Sequence, residues 1–335
     1  MKDTALLLAK FFGVFSFCRW VTRKQLRILA YHGIWMGDDH FGNFLYMSPA
    51  KFTGRMQRIK KLGFPVLSID DALKRREEGT LPHSATVLTI DDGWYSTYVH
   101  MIPVLERLHF PATVYVASYY CEKQVPVVDV ALAHIFSSTV EPSIEIEEWG
   151  VKLDLCSLSN KKSAKRILLS YLSNIEEESE RQRMMHKIGE LLGVDYFKIV
   201  DQKLFHLVSR AQVKNMCERG IDIQLHTHRH RVSLHGVNCI PKEIQDNRDS
   251  LEPLVGRPLV HFCYPNGIND KAMWPHLEAS KIASATVSDS GFVRVADHRY
   301  ALRRILDGEQ VSDIEFEAEM CGFYEIKRNI LKVLK

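Results

Sequence analysis

Asp91 and Asp92 are adjacent carboxylates that end the apolar run 84–90 and are followed by Gly93. The run is short and rich in β-branched residues, which predicts a buried strand. Two like charges at the end of such a strand are costly to bury without a cation. Any fold of this chain must therefore bring something positive to that point. One other stretch offers suitable ligands, His226-Thr227-His228-Arg229-His230, directly after the apolar run 221–225. The expectation is one metal site assembled from two strand ends.

The same arrangement recurs along the chain. Residues 27–31 are apolar and end at His32-Gly33, 110–117 read as a buried strand, and 260–264 lead into Pro265-Asn266-Gly267. A last run, 300–305, carries Arg303 and Arg304. Helical patterns lie between these runs. Ser48 caps one that Pro49 opens, Ser68 caps another after the strand 64–67, and Gly220 and Gly256 stop those at 209–219 and 241–255. Strands alternating with helices predict a parallel sheet, and ligands collect at the carboxyl ends of such strands. The expected architecture is a distorted TIM-like (β/α) barrel, with an open doubly wound sheet as the alternative. The rhythm breaks over 122–207, where 144–148 and 151–155 read as a hairpin followed by charged helices. The expected organisation is an apolar N-terminal helix at 1–26, a barrel at 27–310 carrying that insertion, and a helical tail at 311–335.

A net charge of only +3 gives no reason to expect a nucleic-acid partner. The seven cysteines contain no CxxC pair, which fits a reduced compartment and a cytoplasmic location better than a disulfide framework. Residues 5–21 are strongly apolar but interrupted by Lys10 and Arg19, and Arg23, Lys24 and Arg27 follow. The stretch is too short to span a bilayer and lacks a small-residue cleavage site. It reads equally as an interfacial helix making peripheral membrane contact and as a helix packed under the barrel floor.

Histidines at i and i+4 after a strand, with one carboxylate, make a facial two-His, one-carboxylate set that leaves positions open for water and substrate. Only one of Asp91 and Asp92 need bind the ion, and the other can act as base. An isolated Asp-Asp-Gly is often just a turn, and a His-rich string alone can be a surface loop. Their joint occurrence at two strand ends points to a site.

Thr89-Ile90-Asp91-Asp92-Gly93 resembles the first motif of the polysaccharide deacetylases, the NodB-homology family. His226 to His230 resembles their second motif, Phe262 to Gly267 the third, and Leu302-Arg303-Arg304-Ile305 a late strand of many members. The resemblance implies a metal-dependent amide hydrolase that removes acetyl groups from N-acetylhexosamine units of a glycan or lipid-linked sugar. It implies Asp91 as general base, Asp92, His226 and His230 as ligands of zinc or another divalent ion, and a backbone N–H near Pro265, Asn266 and Gly267 for the oxyanion. Two departures stand out. Cys263 occupies the place where many members carry an arginine that orients the base, with Arg304 as the substitute. No late Leu-x-His motif follows residue 267, which leaves His32 as the expected general acid and His298 as its rival. A hydrolase of a small non-sugar amide and a metal-free glycan-binding protein are the competing readings.

Overall fold

The computed structural model describes residues 2–38, 42–231 and 234–333. Seven parallel strands form its centre: β1 (Arg27–Tyr31), β2 (Thr86–Ile90), β3 (Thr113–Val116), β4 (Asp222–Leu225), β5 (His261–Cys263), β6 (Ser284–Ser290) and β7 (Leu302–Leu306). Each pairs in parallel with the next in sequence, and β7 pairs with β1. The ring is therefore closed, and the open-sheet alternative is excluded. All residues of β1, β2 and β3 are buried, as expected of strands covered by helices outside and by packed side chains within.

The expected strand at 64–67 forms only as Val66–Leu67, laid along the outer start of β2 beside Thr86 and Val87. It stays out of the ring because β1 already pairs with β2 over five residues. Pro65 before it has no N–H to extend the ladder. The helix caps follow the local chemistry. The Ser48 hydroxyl accepts from the Lys51 N–H ahead of Pro49–Lys61, and Ser209 with Gln212 forms a capping box ahead of Arg210–Glu218.

The described chain divides into two compact units, one comprising 1–35, 44–122 and 208–335, and the other 36–43 and 123–207. The first contains the barrel. The second contains an antiparallel hairpin, Ser143–Ile146 with Val151–Asp154, turned at Gly150 in the left-handed region (φ 60°). Its helices Val128–Ser138, Leu158–Ser173 and Glu178–Leu191 bury Leu132, Ile135, Leu168, Leu172, Met185 and Ile188.

Two N-terminal helices, α1 (Lys2–Phe11) and α2 (Val14–Val21), meet at a 78° bend where Gly13 takes φ 76°. One face of the pair buries Leu6 and Phe15 with Ile314, Ala318 and Cys321 of the C-terminal segment, and Cys18 is buried too.

Candidate active site

The barrel places both carboxylates at one mouth. Asp91 continues the β1–β2 ladder, its N–H donating to the Tyr31 carbonyl at 2.9 Å, so His32 is its neighbour across the strands. Consecutive residues of a strand alternate faces. Here Asp92 leaves the strand in the left-handed region (φ 71°), followed by Gly93 (φ 83°), and this reversal lets both side chains serve one pocket. A Cβ on Gly93 would lie 3.1 Å from a Val116 methyl, so the turn is tight as well as left-handed.

Asp91 is buried and held at both oxygens by Arg304, Nη1 to Oδ1 and Nη2 to Oδ2, each at 2.7 Å. The same Nη2 lies 3.2 Å from the Cys263 sulfur, and the Cys263 thiol donates to Asp91 Oδ2 at 3.5 Å. Arg304 was expected at a strand end, but it sits within β7. Alternation along that strand turns Arg304 into the barrel and Arg303 outward to Asp297 at 2.8 Å. Burial would raise the Asp91 carboxyl, but the Arg304 charge and hydrogen bonds outweigh it and hold it below the usual carboxylate range. His32 Nε2 lies 3.6 Å from Asp91 Oδ2. Burial lowers the His32 pKa, outweighing the opposing pull of Asp91 and Asp92.

Asp92 faces the second motif. Its Oδ1 lies 3.1 Å from His226 Nε2 and 3.2 Å from His230 Nε2, and its Oδ2 accepts from the Trp94 indole at 2.8 Å. His226 Nδ1 is 2.8 Å from the Cys263 carbonyl, which it can only meet as a donor, so Nε2 carries the lone pair of the neutral ring. A proton on Nε2 as well would make a buried imidazolium, whereas a cation in its place serves both histidines and the carboxylate. Burial would raise the Asp92 carboxyl, but positive charge shared with His226 and His230 outweighs it and holds it well below its ordinary value. One carboxylate and two imidazole nitrogens, their ligand atoms all within 4.8 Å of one another, fit a divalent ion of zinc type. His228 is turned away, its Nδ1 hydrogen-bonded with the Ser118 hydroxyl at 2.9 Å and its ring edge-on to Tyr119.

Of the three residues expected around the oxyanion, Pro265 has no N–H, and Gly267 donates its own to the Tyr264 carbonyl at 3.2 Å. The N–H left to Asn266, at φ 56°, is the one that turn leaves out. Among the described residues, four of the nine non-glycine residues with positive φ, namely Asp92, Thr227, His230 and Asn266, fall in the three motifs. Backbone strain of about 1–3 kcal/mol per residue is thus concentrated at this mouth, as it is at functional sites generally.

Several supporting residues lie beyond the sequence expectation. Trp94 steadies Asp92, and it packs against Tyr46 with ring centres 5.4 Å apart. Asn247, fully buried on the helix Ile240–Val255, accepts from the His226 N–H at 3.0 Å and donates to the Val116 carbonyl and the Ser118 hydroxyl. Glu243 of that helix accepts from the Arg229 backbone and guanidinium, each at 2.8 Å. The available signal was a stripe of buried polar residues at helical spacing, Glu243, Asn247 and Ser250, on a helix whose other buried positions include Ile240, Ile244 and Leu251. His298 stacks on Trp274 and accepts from the Tyr300 N–H. It precedes β7 and so belongs to the opposite rim from Asp91.

The polysaccharide deacetylase family model matches residues 78–284, well over half of the chain. No curated protein matches it. Among solved structures, the chain is similar to the deacetylase PplD of Streptococcus pyogenes in complex with acetate, at 17% identity and a TM-score of 0.59 over 89% of this chain and 99% of that one. It is similar to IcaB of Ammonifex degensii at 15% identity and a TM-score of 0.56, over 89% and 96% of the two chains. A de-N-acetylase of Aggregatibacter actinomycetemcomitans aligns at 15% identity and a TM-score of 0.55, over 88% and 99%. At such identities the likeness is one of fold. With that fold, the closed ring and the match across all three motifs, the chain belongs to the polysaccharide deacetylase family.

Proposed function

We propose that this deacetylase hydrolyses the N-acetyl group of an N-acetylhexosamine unit in a glycan or lipid-linked sugar, with a divalent metal, zinc by preference, held by Asp92, His226 and His230. The observation that carries this reading is the meeting, at one rim, of the Asp92–His226–His230 donor set and the Asp91–Arg304–His32 set. A divalent ion bound there would polarise the acetyl carbonyl and lower the pKa of a water.

The protein's own groups do the rest. Asp91, kept anionic by Arg304, accepts the proton of the attacking water at a carboxylate oxygen. Arg304 is a positioning residue: it fixes the carboxylate plane and touches no reacting atom. The Asn266 N–H donates to the developing oxyanion of the tetrahedral state. His32, neutral at rest because burial lowers its pKa, receives a proton across the short gap from Asp91 and delivers it to the departing nitrogen. An amine leaves poorly without that proton. The two solved relatives whose names mention deacetylation, PplD and the Aggregatibacter de-N-acetylase, support the reaction class, and the acyl product of the proposed step is acetate, the ligand named for PplD.

The test is metal content together with acetate release from N-acetylglucosamine oligomers. Asp92→Ala, His226→Ala and His230→Ala are each expected to lose bound metal and activity, and His228→Ala to keep both. Equal metal loss from His228→Ala and His230→Ala would overturn the ligand set. Acetate release from small non-sugar amides, with none from the oligomers, would move the substrate to the competing class.

A further inference from the structure

We propose that the outer face of α1 and α2 is a docking surface for an anionic lipid bilayer, independent of the chemistry proposed above. The inner faces of these helices are already satisfied by packing on the C-terminal helices. Their outer faces are nonetheless apolar. On α1, Leu7, Leu8 and Phe11 are exposed, and Phe12 at the bend is 75% exposed. On α2, Phe17, Trp20 and Val21 lie on one helical face at i, i+3 and i+4, each more than two-fifths exposed, with Phe17 stacked on Trp20. Large apolar side chains gathered in this way on a folded surface mark an interaction site rather than chance exposure.

Charge selects the partner. The first 24 residues hold five basic residues and one acidic one; Lys2 and Lys10 pair with Glu315 and Glu317, and Arg19, Arg23 and Lys24 gather at the end of α2. The Arg23 guanidinium lies over the Trp20 ring at 4.6 Å, and Lys24 beside it is exposed. Arg19 donates to the Leu62 and Gly63 carbonyls, which sets the exposed Lys60 and Lys61 at the same end of α2. Aromatic and aliphatic groups bordered by lysine and arginine suit the interface of an anionic membrane. A symmetric contact with a second copy would instead bring the same cations against each other. The pair lies on the bilayer rather than through it. No single described helix is long and apolar enough to cross; the two together are, but they meet at 78° and their Leu6 and Phe15 are committed to the protein.

The experiment is flotation of the full chain with vesicles of phosphatidylcholine alone or with about one-third phosphatidylglycerol. The natural chain is expected to float with the anionic vesicles and far less with the neutral ones. Phe11→Ser, Phe12→Ser, Phe17→Ser and Trp20→Ser combined should lower its partition coefficient at least about a hundredfold, with melting temperature and acetate release unchanged. Phe11→Ser and Trp20→Ser made singly repeat the test with less load on the fold and should each give a smaller loss. Lys24→Glu with Lys60→Glu and Lys61→Glu should lower it roughly tenfold or more, an effect that salt mimics. A natural chain that stays below the anionic vesicles, or apolar variants that float as well as it does, would overturn the proposal. So would light scattering that finds a dimer in the natural chain and a monomer in the fourfold variant.

Discussion

Arg304 is the sole guanidinium on the buried Asp91 carboxylate among the described contacts, and removing it strands a charge. Arg304→Ala is expected to cost about 3–5 kcal/mol of stability, read by denaturant unfolding, and most of the turnover. Because the guanidinium reaches to 3.2 Å from the Cys263 sulfur, an arginine introduced at 263 would enter the same volume. Cys263→Arg combined with Arg304→Ala should therefore recover part of both losses, and no recovery would show that β7 alone can supply the cation. His32 carries the second residue-scale prediction. A histidine whose pKa is lowered is neutral above that lowered value. If His32 had to start protonated, turnover would fall as pH rises through a point below the ordinary histidine value of about 6.5. Proton delivery through Asp91 instead predicts turnover that holds from about pH 6 to about pH 8, with a loss of roughly a hundred- to ten-thousandfold in His32→Ala on amides. The same variant should lose less on acetate esters, since an alkoxide leaves more readily than an amine. Wild-type rates on both substrates in His32→Ala would remove it from the mechanism.

At the scale of elements, the helix Ile240–Val255 does more than cover the barrel wall. Through Asn247 it ties the backbone of His226 to β3 and to Ser118, and Ser118 in turn meets His228. Replacing Asn247 by Ala leaves the His226 N–H and the Val116 carbonyl short of a partner in a dry environment. The expected cost is about 1–3 kcal/mol for each group left unsatisfied. Metal affinity should weaken about 10- to 100-fold even though Asn247 lies outside the proposed ligand set, as outer partners of ligands commonly behave. Metal titration of Asn247→Ala against Asn247→Asp checks this. Asp keeps the acceptor for the His226 N–H and should retain more affinity.

For the whole molecule, the N-terminal helices are part of the folded unit. Leu6 and Phe15 are buried against the C-terminal helices, and Lys10 pairs with Glu317 while Thr22 bonds the buried Arg27. Deleting residues 1–24 is therefore expected to uncover Ile314, Ala318 and Cys321 and to lower the melting temperature. Loss of each fully buried large apolar side chain costs roughly 1.5–3 kcal/mol. A truncated chain that melts with the intact one would show the packing to be incidental. A clean separation of location from stability needs substitutions on the outer face, such as Trp20, rather than truncation.

What the sequence determined by itself is whatever depends on near neighbours. Hydrophobic runs of strand length, serine caps, glycine stops and the carboxylates and histidines that follow strands are local patterns. They were enough to place β1–β7 in order, to favour a closed parallel barrel and to gather Asp91, Asp92, His226 and His230 at one rim. The strand at 64–67 was visible as an apolar run, yet its exclusion from the ring depended on β1 pairing with the whole length of β2. Only tertiary structure decided that Arg304 rather than Arg303 meets Asp91, since either side chain of a strand can face inward until register is set. Only tertiary structure brought Trp94 and Asn247 to Asp92 and His226, because their partners come from a backbone reversal at Asp92 and from a helix packed across the barrel. Of the two readings of the N-terminal segment, the structure bears out packing on one face, through Leu6 and Phe15, and leaves the other face exposed. Composition is blind to that division, because an amphipathic pattern says which residues share a face but not which face finds a neighbour.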